Sequence, residues 1–270
     1  MKYEKILLFS SIALPAVVLM RFLQLFFTVD VKTGFFKSEY EDAGRCLLVL
    51  IALGCAAVAV LCLTSHRNPE NPPKKNLVTA VFSFITAAVT AIEIFSESFA
   101  GTVMRWQSSL LMLMGLAAAA FFVAYGISLI SDFKLPPISA VIPVFYFIIK
   151  VICVFTSVSS LALITDNILM LAAYCTLLFF FLFMKMPIGW TMCTIGALGC
   201  IAIYRSVNAA LAVVCLTQSV PHIIFNISNG GAYRHTSNIS NISLLAYGLF
   251  TAAFTLAHFS LKNTSAGEQK

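Results

Sequence analysis

The stretch Leu77–Glu97, LVTAVFSFITAAVTAIEIFSE, decides the fold. It is a continuous apolar run of the length an α-helix needs to cross about 30 Å of hydrocarbon, roughly 20 residues. Its polar members are spaced with care. Thr79, Ser83, Thr86, Thr90, Glu93 and Glu97 recur at steps of 4, 3, 4, 3 and 4. Such steps keep every member on one helix face, with a drift of only about 20° per heptad. The opposite face is Val, Phe, Ile and Ala. A helix of this kind turns its apolar side to lipid and its polar side to protein or water.

The whole chain follows the same plan. Of 270 residues, 60% are hydrophobic and 10% charged, with a mean hydropathy of +0.94. A soluble domain carries roughly 25% charged residues, so this chain needs lipid as its main solvent. In lipid only helices or closed barrels satisfy the backbone internally, and long unbroken apolar runs select helices over ten-residue alternating strands. The fold class expected is an all-α polytopic transmembrane bundle, one domain over residues 1–262 with a short polar tail at 263–270.

Spans are expected at about 6–27, 45–64, 77–98, 108–130, 138–160, 166–184, 189–212 and 243–261. Pro15 kinks the first, Pro136-Pro137 opens the fifth, and Trp106 and Trp190 lie at span ends, where indoles prefer the interface. The apolar stretch from Gly189 to Leu216 is read as one tilted helix; a split would give nine spans and an external C-terminus. Lys2 and Lys5 ahead of an apolar stretch also describe a signal peptide, but the first span is read as retained. Nine loop lysines and arginines fall on the side of the N-terminus and five on the other, which orients both termini toward the cytoplasm.

Several classes are excluded. The net charge of +6 follows from that loop bias, and with no basic run longer than Lys74-Lys75 a nucleic-acid partner is rejected. The eight cysteines all lie in apolar runs without a CxxC, as small packing residues. His66, His222, His235 and His258 show no metal-ligand spacing. No P-loop, GxGxxG or nucleophile elbow is present, so no cofactor, metal or catalytic residue is expected. There is no internal repeat of the kind many transporters carry. Small-residue pairs at four-residue spacing, Ala52/Ala56, Cys55/Ala59, Gly115/Ala119 and Gly196/Cys200, are expected where helix backbones approach. Residues 217–242, with Pro221, Gly230-Gly231 and Asn238-Ile-Ser-Asn-Ile-Ser, read as a flexible outer loop.

The charges inside the spans are the distinctive feature. Span five carries its own stripe, Ser139, Pro143, Tyr146, Lys150, Cys153, Ser157 and Ser160. At a rise of about 1.5 Å per residue, Arg21 lies roughly 22 Å, Glu93 roughly 24 Å, Lys150 roughly 18 Å and Arg205 roughly 24 Å from the cytoplasmic ends of their spans. Glu97 is one turn further, and Asp166 opens span six. Six groups therefore belong to one outer layer, three basic and three acidic. Each would cost about 2.5–3.5 kcal/mol if left unpaired in mid-bilayer. Glu93 is expected to pair with Lys150, and Glu97 with Arg21 or Arg205. Thr165-Asp166-Asn167 also reads as a helix N-cap, and Arg205, with Asn208 one turn on, also suits snorkelling toward an interface.

Arg21-Phe-Leu-Gln24, Asp30, Thr33-Gly34-Phe35-Phe36 and Ile164-Thr-Asp166-Asn-Ile together resemble a pattern in uncharacterised multi-pass membrane proteins of Gram-positive bacteria. The resemblance implies the same span count, a bacterial inner membrane and recurring positions at Arg21, Gln24 and Asp166, with no activity attached.

Two functional readings follow. In one, the layer is the site of a small-solute permease or membrane sensor that takes a polar or charged ligand. In the other, it is a set of ion pairs that fixes helix register in an accessory subunit, whose lipid face docks a membrane-protein partner. An intramembrane enzyme ranks last.

Overall fold

The computed structural model of the chain describes residues 3–31, 33–63, 76–100, 105–131, 133, 135–157, 165–184, 197–231 and 238–260. Among them every regular element is helical. The α-helices are α1 (Tyr3–Leu23), α2 (Glu41–Leu63), α3 (Leu77–Ala100), α4 (Arg105–Ile130), α5 (Val141–Ser157), α6 (Thr165–Met184), α7 (Ala197–Ser228) and α8 (Asn238–Ser260). A π-helical turn at Gln24–Thr28 extends α1, and 3-10 turns at Ser38–Tyr40 and Pro137–Ala140 lead into α2 and α5. Among the described residues, four segments are long and apolar enough to cross a membrane: Leu77–Glu97, Trp106–Ile130, Ile138–Thr156 and Leu211–Ser228.

Helices α3 to α8 follow one another round a ring that α8 closes against α3, while α1 and α2 pack together on α7. Sequence order explains this, because short connections make consecutive helices antiparallel neighbours. At one end, aromatic side chains fill the ring. Phe122 of α4 meets Phe181 of α6 and Phe250 of α8, each at 5.5 Å between centroids, and Phe147 of α5 meets Tyr247 of α8 at 5.1 Å. Such pairs contribute about 0.5–1.5 kcal/mol each beyond the area they bury. They matter here because lipid offers little hydrophobic drive between helices.

The outer surface is apolar and the interior holds the polar stripe. Leu53, Leu77, Leu113 and Phe155 are exposed, whereas Thr79, Ser83, Thr86, Thr90 and Glu93 are buried. Ser83 donates to the Phe122 carbonyl oxygen at 2.6 Å, and the Thr90 and Tyr247 hydroxyls meet at 2.6 Å. The α3 stripe thus fastens α3 to α4 and α8. Gly115 lies at the closest approach of α3, α4 and α5, where an added Cβ would run into Ile94 and come within 3.1 Å of the Tyr146 ring.

Four expectations change. The described part of the seventh helix runs from Ala197 to Ser228, past the expected end at 212, and the segment expected as a loop over 217–242 is helix up to Ser228 and again from Asn238. Its polar residues face inward: Thr217, Gln218, Ser219, His222, Asn226, Ser240, Asn241 and Ser243 are all buried. Ala52 and Ala56 face outward; α2 meets α1 through Gly54 against Val17 instead. Thr165 and Asp166 already belong to helix α6, so Asp166 does not stand ahead of it. The Gly196/Cys200 pair, the Ala59 side chain, Trp190, Ser160 and the 263–270 tail lie outside the described residues.

The Asp30–Phe36 motif is a tight turn. Val29 and Phe36 form an antiparallel bridge, Thr33 Oγ1 donates to Asp30 Oδ2 at 2.8 Å, and Gly34 takes a φ of 72°, which a side chain would strain.

Candidate functional site

At the other end of the ring, where α3 and α5 finish and α6 and α8 begin, the stripes of α3 and α5 converge. Lys150 Nζ donates to Glu93 Oε1 at 2.9 Å and to Glu97 Oε1 and Oε2 at 2.6 and 2.7 Å. One ammonium therefore bridges two carboxylates from successive turns of α3. Tyr146, one turn before Lys150, donates to Glu93 Oε2 at 3.2 Å, and Ser240 at the start of α8 donates to Glu97 Oε1 at 3.3 Å. The ammonium also lies 5.9 and 5.8 Å from the centroids of the Tyr146 and Tyr174 rings, within cation–π range.

Burial grades across this triad. The Glu93 side chain is 0% exposed, Lys150 3% and Glu97 21%. Glu97 is thus the member that opens toward the surface, and Glu93 the innermost. Below Glu93 come Thr90 and Tyr247, then the aromatic fill. The arrangement holds opposite charges from two helices in one cluster, with Glu97 its most exposed member.

Of the other expected members of the layer, Arg21 is the one whose side chain is among the described residues. Arg21 is fully buried, yet it does not reach Glu97. It donates through Nη1 to Gln24 Oε1 at 2.5 Å and through Nη2 to Gln218 Oε1 at 3.3 Å. Gln24 in turn donates to the Gly44 carbonyl oxygen of α2 at 2.7 Å. The reason is the order of packing: α1 lies against α7 and α2, on the far side of α7 from α3. The Arg205 backbone is 13 residues before Gln218 in α7, about 20 Å lower along the helix, so it does not belong to the layer. The side chains of Asp166 and Arg205 lie outside the described residues.

Between these groups runs α8. Asn226 of α7 donates to Asn238, and Ser240, two residues on, reaches Glu97. Polar side chains thus bridge α1, α7, α8, α3 and α5 at this end of the molecule. On α7 the hydroxyls of Thr217 and Ser219, Nε2 of Gln218 and Oδ1 of Asn226 are buried with no hydrogen-bond partner among the described residues. Pro221 has no N–H, so the Thr217 carbonyl also lacks its usual helical partner.

Sequence reasoning missed Gln24 as a partner of Arg21, and Gln218, Ser240, Tyr174 and Tyr247 altogether. The signal for Gln218 was present: Gln218, His222 and Phe225 stand at helical spacing within an apolar stretch.

No protein-family model matches this chain, and no curated protein or solved structure does either.

Proposed function

We propose that this chain is a permease for a small polar or charged solute, with eight spans, both termini in the cytoplasm, and a place in a bacterial inner membrane. On that reading the triad lies in the outer half of the bilayer and Glu97 faces the outside. The observation that supports it best is the triad itself. Two carboxylates from α3 share one ammonium from α5, set among helices and graded from one-fifth exposed at Glu97 to fully buried at Glu93. Ionisable groups inside a membrane bundle mark solute or ion pathways by default. The aromatic fill below the triad, from Tyr247 and Phe147 down to Phe250, closes the route to the inside. In a permease this fill is the inner gate, and it parts when the site is loaded.

The second reading is an accessory subunit in which the triad only sets helix register. The same aromatic fill favours it, because a ring that never opens needs no gate. Proteoliposomes separate the two. Vesicles bearing the wild-type protein are incubated with a mixture of small amines, amino acids and carboxylic acids, and their contents are compared with protein-free vesicles by mass spectrometry. The permease reading expects at least one solute to be enriched, and enrichment to disappear in the Glu93→Gln/Glu97→Gln/Lys150→Met triple variant while folded yield is kept. If nothing is enriched, and yield alone follows the charges, the accessory reading replaces it.

A further inference from the structure

We propose that the connection between α1 and α2 is a membrane-interface anchor, which holds Phe27, Phe35 and Tyr40 among the headgroups and glycerol of the leaflet in which α1 ends. The proposal rests on the eight-span reading and not on transport of any solute.

Helix α1 fixes one side of the anchor. Leu19, Leu23 and Phe27 recur at steps of four, and all three are exposed. Residues four apart share a helix face, so they make one apolar stripe. On the spanning reading that stripe lies against acyl chains. Phe27 falls in the π-helical turn that ends the helix, and Val29 beyond it is already extended.

The chain then turns back at once. Val29 bridges to Phe36, the Asp30 N–H donates to the Phe35 carbonyl oxygen at 2.8 Å, and the Lys37 N–H donates to the Thr28 carbonyl oxygen at 2.8 Å. Phe35 therefore stands opposite Asp30, two residues past Thr28. At about 3.3 Å per extended residue, that is at most roughly 7 Å beyond the helix end. The interfacial zone has a similar depth. A hydrocarbon core of about 30 Å within a bilayer of about 40–45 Å leaves about 5–7 Å on each side. With Phe27 at the edge of the hydrocarbon, Phe35 stays inside that zone.

The turn also decides which rings face outward. Neighbouring residues of an extended segment point to opposite sides. Phe36 packs inward, its ring over Gly44 and beside the Leu25, Val29 and Phe225 cluster. Phe35 is thereby turned away from the protein and is exposed. Tyr40, whose N–H donates to the Lys37 carbonyl oxygen at 2.9 Å, is exposed as well. The positive φ of Gly34 and the Thr33–Asp30 hydrogen bond fix the shape of the turn, so little further ordering is needed to present these rings. Tyrosine is enriched at the headgroup level, where its ring is apolar and its hydroxyl wet. A soluble protein would cover the rings too. Continuity with the α1 stripe selects lipid over such a partner.

The test places one indole in the turn. Full-length protein carrying Trp106→Phe and Trp190→Phe receives Phe35→Trp, and is reconstituted in phosphatidylcholine vesicles brominated either near the glycerol or near the chain ends. Phe145→Trp, on the exposed side of α5, reports on the spanning helices in the same background. The expected result is an indole at position 35 quenched severalfold more by bromine near the glycerol than by bromine near the chain ends, and shielded from iodide in the water. Full quenching by iodide with none by either lipid overturns the anchor while position 145 is still quenched by bromine; the turn then stands in water, open to a soluble partner. Stronger quenching from the chain ends overturns the interfacial placement. Should position 145 also escape both brominated lipids, the spanning reading fails and the anchor falls with it. Where Phe35→Trp does not fold, Tyr40→Trp reads the same turn with the same outcomes.

Discussion

Two buried cations, Lys150 and Arg21, sit at the same end of this molecule and are held in different ways. Lys150 is gripped by carboxylates and ring faces, with four carboxylate oxygens and two tyrosines committed to the cluster. The described contacts of Arg21 include the amide oxygens of Gln24 and Gln218, on a stretch of α7 where the Thr217 and Ser219 hydroxyls have no partner among the described residues. The first set joins two helices through opposite charges; the Gln218 contact joins α1 to α7 through an uncharged amide. Breaking a buried ion pair strands a charge, whereas losing one amide bond leaves a single polar group unmatched.

The largest effect should come from breaking the ion-paired side. Lys150→Met strands two carboxylates and should cost about 3–5 kcal/mol, seen as loss of folded yield in detergent. Adding Glu93→Gln and Glu97→Gln should return most of that yield, since the stranded charges are then gone. Gln218→Leu should cost less, about 1–3 kcal/mol, because it removes one neutral acceptor of Arg21. If the thermal shift for Gln218→Leu exceeds that for Lys150→Met, the contrast fails. Gly115→Val should cost about 1–3 kcal/mol by overpacking against Ile94 and Tyr146.

Two hydroxyl substitutions sharpen the contrast at the small end. Thr90→Val removes a bond to Tyr247 and should cost about 0.6 kcal/mol, the usual value for such a contact between membrane helices. Ser219→Ala removes a hydroxyl with no partner among the described residues and should leave the melting temperature within error of wild type. A large loss for Ser219→Ala would show that the α7 side is as tightly bonded as the triad.

The same contrast explains what could be read from the residues alone. Charges at helical spacing in apolar runs have one interpretation, so Glu93, Glu97 and Lys150 could be assigned a common height and the Glu93–Lys150 contact anticipated. Uncharged polar residues have two. Thr217, Gln218, Ser219 and the Asn238–Ser243 run suit a loop in water or a polar face inside a bundle, and composition does not separate them. Pro221 and the following glycines tipped the reading toward a loop, although proline is tolerated inside membrane helices when neighbours supply the missing bonds. That choice moved helix seven and placed Arg205 too high. Partner selection was the other gap. Whether Arg21 meets Glu97 or Gln218 depends on which helices touch, and heights along separate helices carry no information about that.

Helix α7 has a consequence of its own. Its 32 residues span about 48 Å, well beyond the roughly 30 Å of a typical hydrocarbon core. To lie within such a slab it must lean steeply, bend at Pro221, or project past the lipid surface. Each option changes with acyl chain length, so bilayer thickness becomes a control on the angle at which α7 presents Gln218 to Arg21. The composition of the host membrane is then a variable in this protein's behaviour, alongside its own residues.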